Sequence, residues 1–315
     1  MNILICGGAG YVGGALTDAL VNTDHTMRIF DALLFEPEYL KPVDFVRGDI
    51  RDHEALQPHL DWADAVVWLC ALVADGACDL YSELAVELNQ TSVQWLARHF
   101  DGRIVFPSTC LVYALQNKEL TEEDHTAPNS LYVQTKLEAE KILQNHNALI
   151  FRLSTLFGLG DTFSRPRLDL VTNLLTARAV IDGTMTVFGG TQYRPLLHVR
   201  DVADAMVCAL EADATGVYNI ASENRTILDI AETIARLVPG SRMVVQEADV
   251  KTTGDYRVSC AKVRRDLGFA PTRSVEDGIK EMRDFISGGR LKDINHPRYN
   301  NAAYLKAYGH GLGES

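Results

Sequence analysis

Apolar positions recur with two different periods along the first half of the chain. Several short apolar runs have the length of a buried strand: Asn2 to Cys6, Met27 to Phe30, Val43 to Val46, Ala65 to Leu69, Ile104 to Phe106 and Ala148 to Leu153. Other stretches carry apolar residues at helical spacing, as in the helices predicted over Glu83 to Phe100 and Leu131 to Leu143. Strands that alternate with helices favour an α/β fold with a doubly wound parallel sheet, which we predict for residues 1–158.

The second half follows this alternation less strictly. Gln192 to Val199 is predicted to be extended, and Val217 to Ile220 is a further candidate strand. No internal repeat, low-complexity tract or flexible linker separates the two halves. We therefore predict that residues 159–315 form mainly a smaller mixed α/β cap packed on the first half, with short segments near 190–225 returning to the sheet.

A glycine-rich turn follows the first predicted strand directly. Gly7, Gly10 and Gly13 form a G-x-x-G-x-x-G pattern between that strand and an amphipathic run that reaches Leu20. Such a turn lets backbone approach a diphosphate closely, while the amides at the helix start face the anion. The second strand is followed by Asp31, 24 residues after Gly7, where a carboxylate can accept hydrogen bonds from both ribose hydroxyls of NAD. The pattern predicts a Rossmann dinucleotide site.

Residues near the ends of neighbouring strands complete this predicted site. The Asp31 carboxylate would repel a 2′-phosphate and Ala32 to Phe35 contain no Arg to bind one, so NAD is predicted rather than NADP. Asp49 can accept from the adenine amino group while Ile50 packs on the ring. Small residues after Leu69 allow the cofactor to approach the carboxyl end of a central strand.

The charge balance argues against two classes of partner. The 30 Lys and Arg against 42 Asp and Glu give a net charge of −12, which disfavours nucleic acid and anionic membranes. The six cysteines show no C-x-x-C pair or His-flanked metal spacing, so no metal is predicted and a reducing cytoplasm fits best. The first strand leads straight into the glycine turn and no apolar stretch reaches about 18 residues, so we expect a soluble protein that is not exported.

Two polar segments carry candidate chemistry. Tyr132 and Lys136 are four residues apart in a predicted helix, so their side chains lie on one face. A phenol has a reference pKa of about 10, and lowering it by roughly 3 units requires about 4 kcal/mol of preference for the anion. Lys136 is one source of that preference and a cationic nicotinamide ring is another. With Ser108 and Thr109 at the end of a predicted strand, these segments are interpreted as able to remove a proton from an alcohol.

In this order, the motifs resemble those of the extended short-chain dehydrogenase/reductase family, and most closely its nucleotide-sugar epimerases and dehydratases of the UDP-galactose 4-epimerase type. The resemblance covers nearly the whole chain and rests on Gly7-Gly8-Ala9-Gly10-Tyr11-Val12-Gly13, Ser108-Thr109 before Tyr113, Tyr132-x-x-x-Lys136 and Arg194-x-x-x-His198-Val199-x-Asp201. It implies NAD as cofactor. The residues predicted to contact NAD are Gly7, Gly10, Tyr11, Val12, Gly13, Asp31, Asp49, Ile50, Leu69, Ala71, Leu72, Asn89, Ser108, Tyr132 and Lys136.

The resemblance also implies catalytic and substrate-binding roles. Tyr132 matches the base that removes the hydroxyl proton at carbon 4 of the sugar while NAD accepts the hydride, which gives a 4-keto intermediate. Lys136 matches the Lys that binds the nicotinamide ribose and lowers the phenol pKa, and the hydroxyl of Thr109 shares the hydrogen bond to the sugar.

Substrate binding is predicted at residues of the second half. Arg194 and Arg257 match positions that bind the diphosphate of a nucleotide sugar, and Asn173 matches a side chain that assists them. Two guanidinium groups suit a diphosphate in an otherwise acidic protein. Thr155 stands where the 4-epimerase commonly has an Asn, so the sugar contacts are expected to differ there.

Three departures from the patterns of related subfamilies limit the activities expected of this chain. Sugar 4,6-dehydratases carry an Asp-Glu pair directly after the catalytic Thr, where this chain has Cys110 and Leu111, so dehydration is not expected. The Glu of nucleotide-sugar decarboxylases is missing too. Families that epimerise carbons 3 and 5 place a Cys two residues after the catalytic hydroxyl, whereas Cys110 is one residue after it, so in an extended segment it points the other way and is interpreted as structural.

The sequence therefore predicts an NAD-dependent nucleotide-sugar 4-epimerase. A 4-dehydrogenase or 4-ketoreductase with net redox turnover stays open, because it needs the same Tyr, Lys and Thr. A third hypothesis is a regulator that binds a dinucleotide without catalysis, although family members of that kind usually lack the Tyr or the Lys. The resemblance further implies a homodimer, in which the helices that carry Asn89 and Tyr132 pair with their mates in the second subunit.

Overall fold

A seven-stranded parallel sheet with the order β11-β7-β5-β4-β1-β2-β3 forms the centre of the molecule. The computed structural model describes residues 1–113, 118–247, 255–291 and 293–309. The strands are β1 (Asn2–Cys6), β2 (Thr26–Asp31), β3 (Asp44–Arg47), β4 (Ala65–Trp68), β5 (Arg103–Thr109), β6 (Glu119–Leu120), β7 (Ala148–Leu153), β8 (Thr155–Phe157), β9 (Thr184–Phe188), β10 (Tyr193–His198), β11 (Gly216–Ile220), β12 (Glu223–Thr226), β13 (Arg242–Gln246) and β14 (Arg257–Val258).

Helices cover both faces of this sheet and build most of the cap. They are α1 (Tyr11–Leu20), α2 (His53–Trp62), α3 (Asp75–Leu80), α4 (Ser82–Val86), α5 (Ser92–His99), α6 (Leu131–Leu143), α7 (Val171–Ile181), α8 (Val199–Glu211), α9 (Ile227–Leu237), α10 (Ala261–Leu267), α11 (Val275–Ser287) and α12 (Asn301–Tyr308). In the described residues, no helix is both long and apolar enough to cross a membrane.

The sheet is buried on both faces, which explains the continuous apolar runs of its strands. Ile3 and Ile5 of β1 pack into a core with α1 and α8, whereas Leu4 and Cys6 pack into a second core with α2, α5 and α6. The direction of strand addition reverses between β1 and β4, which is the switch point where open α/β sheets bind ligands at the carboxyl ends of their strands.

The second half contributes to both layers of the molecule. Strand β11 pairs with β7 at the edge of the large sheet, and α8 packs against α1. The rest builds a three-stranded sheet β12-β10-β8, a pair β13-β9 and a separate core around Ile230, Ile234 and Ile279. The predicted fold class, a doubly wound parallel sheet with a smaller mixed cap, is confirmed. The division at residue 158 stays a prediction.

Local structure departs from the predicted helices and strands at two places. The single helix predicted over Glu83 to Phe100 consists of α4, a π-helical turn at Glu87–Thr91 and α5. The π turn inserts extra backbone, which a count of apolar positions does not detect. Helix α12 was also not predicted; it packs through Tyr81, whose phenol lies within hydrogen-bonding distance of the carbonyls of Leu305 and Gly309.

Candidate active site

A cleft of about 780 Å³ lies at the carboxyl ends of the central strands, where the cap meets the sheet. The glycine turn and the segments after β2, β3 and β4 form one part of its wall, and the end of β5 and the start of α6 form another. The cap side of the cleft is formed by the loop after β8, by Tyr256 and by residues of α12. The cleft therefore joins the predicted dinucleotide site to the predicted catalytic residues.

The glycine turn is shaped for close packing of backbone. Gly7 has a φ of +86°, and a Cβ there would lie 2.6 Å from the amide nitrogen of Cys70. A Cβ on Gly13 would lie 2.5 Å from the carbonyl oxygen of Gly8. Helix α1 begins after Gly10 without a side-chain cap, so the amides of its first turn are left for an anion. These features fit the diphosphate of a dinucleotide.

Asp31 lies on the next part of the cleft wall. Its carboxylate accepts hydrogen bonds from the backbone amides of Ala9, at 2.9 Å, and Leu33, at 2.7 Å. Burial raises the pKa of this carboxyl, and the two amide donors oppose the rise. Asp31 thus ties the glycine turn to the segment after β2, in the position predicted for the ribose contact.

The residues predicted to meet the adenine also line the cleft. Asp49 and Ile50 follow β3, but the Asp49 carboxylate is already paired with Arg51, with Oδ2 2.7 Å from Nη2. Burial alone would raise the pKa of Asp49, yet its hydrogen bonds to Arg51 lower it on balance. Leu69 and Ala71 reach the cleft after β4.

Thr109, Tyr132 and Lys136 share the opposite part of the wall, and each is less than a tenth exposed. Thr109 ends β5, and its Oγ1 accepts from the amide of Leu111 at 3.2 Å. Tyr132 and Lys136 occupy the first two turns of α6, which is capped by the Ser130 hydroxyl accepting from an amide of the first turn. The structure therefore brings the three predicted catalytic residues to one cleft.

Burial dominates the electrostatics of the phenol and the ammonium. It raises the pKa of Tyr132 above its ordinary value, with the positive charge of Arg167 acting in the opposite direction. It lowers the pKa of Lys136 to about 8. The Lys136 ammonium donates to the carbonyl of Pro107 at 3.0 Å and lies 4.6 Å from the ring centroid of Phe106. Within the protein alone, the Tyr132 phenol is protonated at neutral pH.

A buried ionic network connects strand β5 to helix α6. Glu140 of α6 accepts from the Ser108 hydroxyl of β5, and its Oε2 lies 2.7 Å from Nη2 of Arg152 on β7. The side chains of Glu140 and Arg152 are 4% and 6% exposed. Because Ser108 precedes Thr109, this network fixes the spacing between the Thr109 hydroxyl and the helix that carries the phenol.

The two positions after Thr109 face in different directions. Cys110 is buried, and its thiol donates to the carbonyl of Arg152 at 3.0 Å. Burial raises the pKa of this thiol. Leu111 lines the cleft and is 41% exposed. Where a dehydratase carries two acids, this chain thus presents one buried thiol and one apolar side chain.

Five predicted contact residues are not part of the described cleft wall, and three of them, Leu72, Asn89 and Asn173, are buried beside it. Asn89 is buried in the π turn; its Oδ1 accepts from the amide of Leu72 at 2.8 Å, and its Nδ2 donates to the carbonyl of the same residue at 2.9 Å. Leu72 is itself fully buried. Asn173 is fully buried as well, and its Oδ1 accepts from the amide of Gly158 at 2.9 Å. The side-chain amides of Asn89 and Asn173 hold backbone beside the site. Direct contact of these residues with ligands stays a prediction.

The predicted substrate residues divide into two groups. Thr155 lines the cleft, whereas Arg194 and Arg257 stand outside its described wall. The Arg194 guanidinium lies 5.7 Å from the ring centroid of Tyr256, and that of Arg257 lies 4.8 Å from the ring centroid of Tyr193. The cationic pair therefore flanks the cleft next to aromatic rings.

Sequence reasoning missed several residues of the wall. Tyr256 lines the cleft, and burial raises its pKa to about 12. Arg165, Asn301 and Tyr304 line it from the cap side. A signal was present for Arg165, since a loop with two arginines follows a strand that ends at the cleft, but nothing local indicated which ligand it faces.

This chain belongs to the NAD dependent epimerase/dehydratase family, which matches residues 3–221. The fold, the glycine turn and the Tyr-x-x-x-Lys pair agree with that assignment. The protein is accordingly an NAD-dependent enzyme of the extended short-chain dehydrogenase/reductase type.

Individual relatives differ in their activities. The chain is 28% identical to the low-salt glycan biosynthesis protein Agl12 of Haloferax volcanii, over 91% of this chain and 99% of that protein. It is 25% identical to a dTDP-glucose 4,6-dehydratase of Streptomyces niveus, over 92% and 94%. Its fold matches that of the UDP-glucose 4-epimerase of Thermotoga maritima with UDP-glucose, with a TM-score of 0.80, 20% identity and coverage of 92% and 100%. Other relatives are a 4-epimerase and UDP-glucuronic acid decarboxylases.

Proposed function

We propose that this protein is an NAD-dependent nucleotide-sugar 4-epimerase. The observation that carries the proposal is the composition of one cleft wall, where Thr109, Tyr132 and Lys136 lie beside the glycine turn and Leu111 takes the place of an acid. NAD, when bound, supplies a reversible hydride acceptor for carbon 4 of the sugar. The glycine turn and Asp31 would hold it.

The side chains of the wall supply the acid–base chemistry. Tyr132 accepts the proton of the 4-hydroxyl and returns it at the end of the cycle, while the Thr109 hydroxyl shares the hydrogen bond to the same oxygen. Because burial raises the pKa of Tyr132, the phenol needs a cation beside it to act as a base near neutral pH. Lys136 fills that role in this proposal. The Glu140 network keeps the Thr109 strand in register with the helix of the phenol.

The same wall disfavours dehydration. Loss of water from carbons 5 and 6 requires a base for the proton at carbon 5 and an acid for the leaving hydroxyl. The Cys110 thiol is buried against the carbonyl of Arg152, and Leu111 has no proton to give. A 4-dehydrogenase or 4-ketoreductase is the alternative, because a reaction with net oxidation or reduction would use the same side chains of Thr109, Tyr132 and Lys136.

The nucleotide sugar would extend from the catalytic wall toward the cap. Thr155 and Tyr256 line that end of the cleft, and Arg194 and Arg257 lie next to it. We assign the two guanidinium groups to the substrate diphosphate, with Asn173 supporting the adjoining backbone. UDP-glucose, the ligand of the Thermotoga epimerase, is the first substrate to test.

Product analysis in deuterated water tests the reaction type. Purified protein is incubated with a panel of nucleotide sugars, with and without added NAD or NADH, and the products are identified by NMR. A 4-epimerase inverts carbon 4 without consuming cofactor and without solvent deuterium on any ring carbon, because the hydrogen of carbon 4 returns to it. Deuterium at carbon 5 would instead show proton abstraction next to a ketone, as in dehydration, and stoichiometric NADH would show net oxidation.

Two further properties belong to the proposal, namely a homodimer and a cytoplasmic location. Val93 and Leu96, on the helical segment that carries Asn89, are fully buried within one subunit, whereas Val86 on the same segment is 36% exposed. A dimer would therefore use the outer face of α4 together with α6. Light scattering at micromolar concentration should give twice the chain mass; a monomer would contradict the assembly. The six cysteines are all free, which suits a reducing compartment.

A further inference from the structure

The cleft has a cationic residue on its cap side that the proposed reaction does not use. Arg165 and Arg167 lie in the loop between β8 and α7, and both line the cleft. Arg167 is neutralised by Asp169, whose Oδ1 and Oδ2 lie 2.6 and 3.1 Å from its guanidinium nitrogens. Arg165 forms no ion pair with any carboxylate of the described residues. Its guanidinium donates instead to neutral oxygens, the carbonyl of Arg298 at 2.6 Å and Oδ1 of Asn301 at 2.5 Å.

Arg165 is also almost completely withdrawn from water, with 6% of the residue exposed. Its guanidinium carbon lies 4.3 Å from the ring centroid of Phe35 and 5.9 Å from that of Tyr304. Burial, with the nearby charge of Arg167, lowers its pKa to about 10, while the carboxylates of Asp169 and Glu36 act in the opposite direction. A buried charge that forms no ion pair is unfavourable, so an anionic ligand in the cleft would stabilise this arrangement.

The loop that carries Arg165 is packed directly on the start of α1. A Cβ on Gly160 would lie 2.5 Å from the carbonyl oxygen of Tyr11, the first residue of that helix. Lys41 joins the two segments, since its ammonium lies 2.6 Å from the carbonyl oxygen of Gly14 and 2.7 Å from Oδ2 of Asp161. The loop is therefore held against the helix that follows the glycine turn, and its Arg165 lines the same cleft as that turn.

The second anchor of the loop lies at the ribose end of the site. The Arg165 amide donates to Oε1 of Glu36 at 2.8 Å, and both Phe35 and Glu36 line the cleft a few residues after Asp31. The guanidinium thus stands between the glycine turn and the segment that follows the ribose carboxylate. The contacts of Arg165 with Phe35 and Glu36 place it beside the segment that is predicted to hold the ribose of the dinucleotide.

We propose that Arg165 binds the diphosphate of NAD from the cap side, opposite the glycine turn. The turn offers backbone amides, which carry no net charge, whereas a guanidinium adds a full positive charge and a planar pair of donors that matches phosphate oxygens. NAD would then be held from both sides of the cleft. NAD binding can be measured without any sugar, so the test is independent of the 4-epimerase activity.

The test compares ligands that contain or lack the cofactor diphosphate. Nucleotide-free wild type and Arg165→Ala are titrated calorimetrically with NAD, ADP-ribose, adenosine, NADP and UDP. Loss of a charge-assisted contact should weaken NAD and ADP-ribose about 10- to 100-fold. Binding of adenosine and UDP should change less than about threefold. Arg165→Lys should recover part of the affinity, because the charge remains while the planar fork is lost.

A matched variant removes a neighbouring guanidinium that is not among the described residues of the cleft wall. Arg298→Ala deletes a side chain that is 43% exposed but keeps the carbonyl that accepts from Arg165, so its loss of ADP-ribose affinity should be at least fivefold smaller. Circular dichroism and thermal melting establish that each variant is folded. An equal loss in Arg298→Ala, an equal loss for adenosine, a larger loss for NADP than for NAD, or a loss confined to UDP would each overturn the proposal.

Discussion

Replacing Tyr132 by Phe removes one hydroxyl and leaves the rest of the catalytic wall unchanged. The ring is 9% exposed and packs in the main core, and a Phe ring has the same shape. In the described part of the chain the phenol oxygen makes no hydrogen bond, so no partner is left unsatisfied. The free energy of unfolding should therefore change by less than about 1 kcal/mol. Turnover should fall about 10²- to 10⁴-fold, which corresponds to roughly 3 to 5.5 kcal/mol of activation free energy.

The assay must separate chemistry from binding. Single-turnover conversion of the nucleotide sugar gives the rate of the chemical step, and titration with NAD and substrate gives the two affinities. For Tyr132→Phe we expect the loss in kcat with both affinities retained, because the phenol acts on a proton that moves only during the reaction. Tyr218→Phe is the matched control: Tyr218 is a buried tyrosine of β11 that does not line the cleft, and its turnover should stay within about twofold of wild type.

A second buried phenol makes the outcome decisive. Tyr256 also lines the cleft, as do Tyr11, Tyr304 and Tyr308, so it is one alternative base that the structure offers. If Tyr132→Phe keeps wild-type turnover while Tyr256→Phe loses it, the base has been assigned to the wrong residue. If neither variant loses turnover, proton transfer does not pass through either of these two phenols.

The remaining predictions concern Lys136, the buried Glu140 network and the two arginines beside the cleft. Lys136→Met should lower turnover about as much as loss of the phenol and shift the pH optimum upward, because the phenol pKa rises when its cationic neighbour is removed. In the NAD-free protein, the lowered Lys136 pKa means that the folded state binds fewer protons than the unfolded state between about pH 8 and 10.5. The free energy of unfolding should therefore rise with pH across that window. In Lys136→Met it should depend less on pH, as measured by urea unfolding. Glu140→Ala should cost about 3 to 5 kcal/mol because it leaves a buried guanidinium without its partner; Glu138→Ala, in an exposed pair on the same helix, should cost less than about 1 kcal/mol, and equal losses would remove the special role of the buried network. Arg194→Ala and Arg257→Ala should each weaken nucleotide-sugar binding by about 1.5 to 3 kcal/mol while NAD affinity holds; unchanged substrate affinity in both would place the substrate diphosphate elsewhere.

The most accurate predictions from the sequence concern helices and strands that nearby residues determine. The predicted helix Leu131–Leu143 has the bounds observed for α6, because Ser130 caps it and its apolar positions recur at helical spacing. The predicted strand Ala148–Leu153 likewise matches β7, since a strand buried on both faces is apolar throughout. The fold class followed from the order of such elements.

The rest depends on contacts between distant segments. The π turn at Glu87–Thr91 leaves no mark in the apolar pattern, yet it positions Asn89 against Leu72. Tyr256 and Arg165 reach the cleft from loops whose path is set by the cap, so no local motif indicated Tyr256 or the ligand that Arg165 faces. The assignments of individual residues to NAD or to the sugar remain predictions for the binding experiments above.

Helix α12 has a consequence for the order in which the site is built. The family match ends at residue 221, whereas Asn301 and Tyr304 of this late helix contribute to the wall around the dinucleotide. During synthesis, the sheet and the glycine turn leave the ribosome first and can pack before α12 exists. The pocket is then open on one side until almost the whole chain has been made. Cofactor capture is therefore expected to be a late step of maturation, and chains interrupted shortly before α12 should form the sheet but release NAD rapidly.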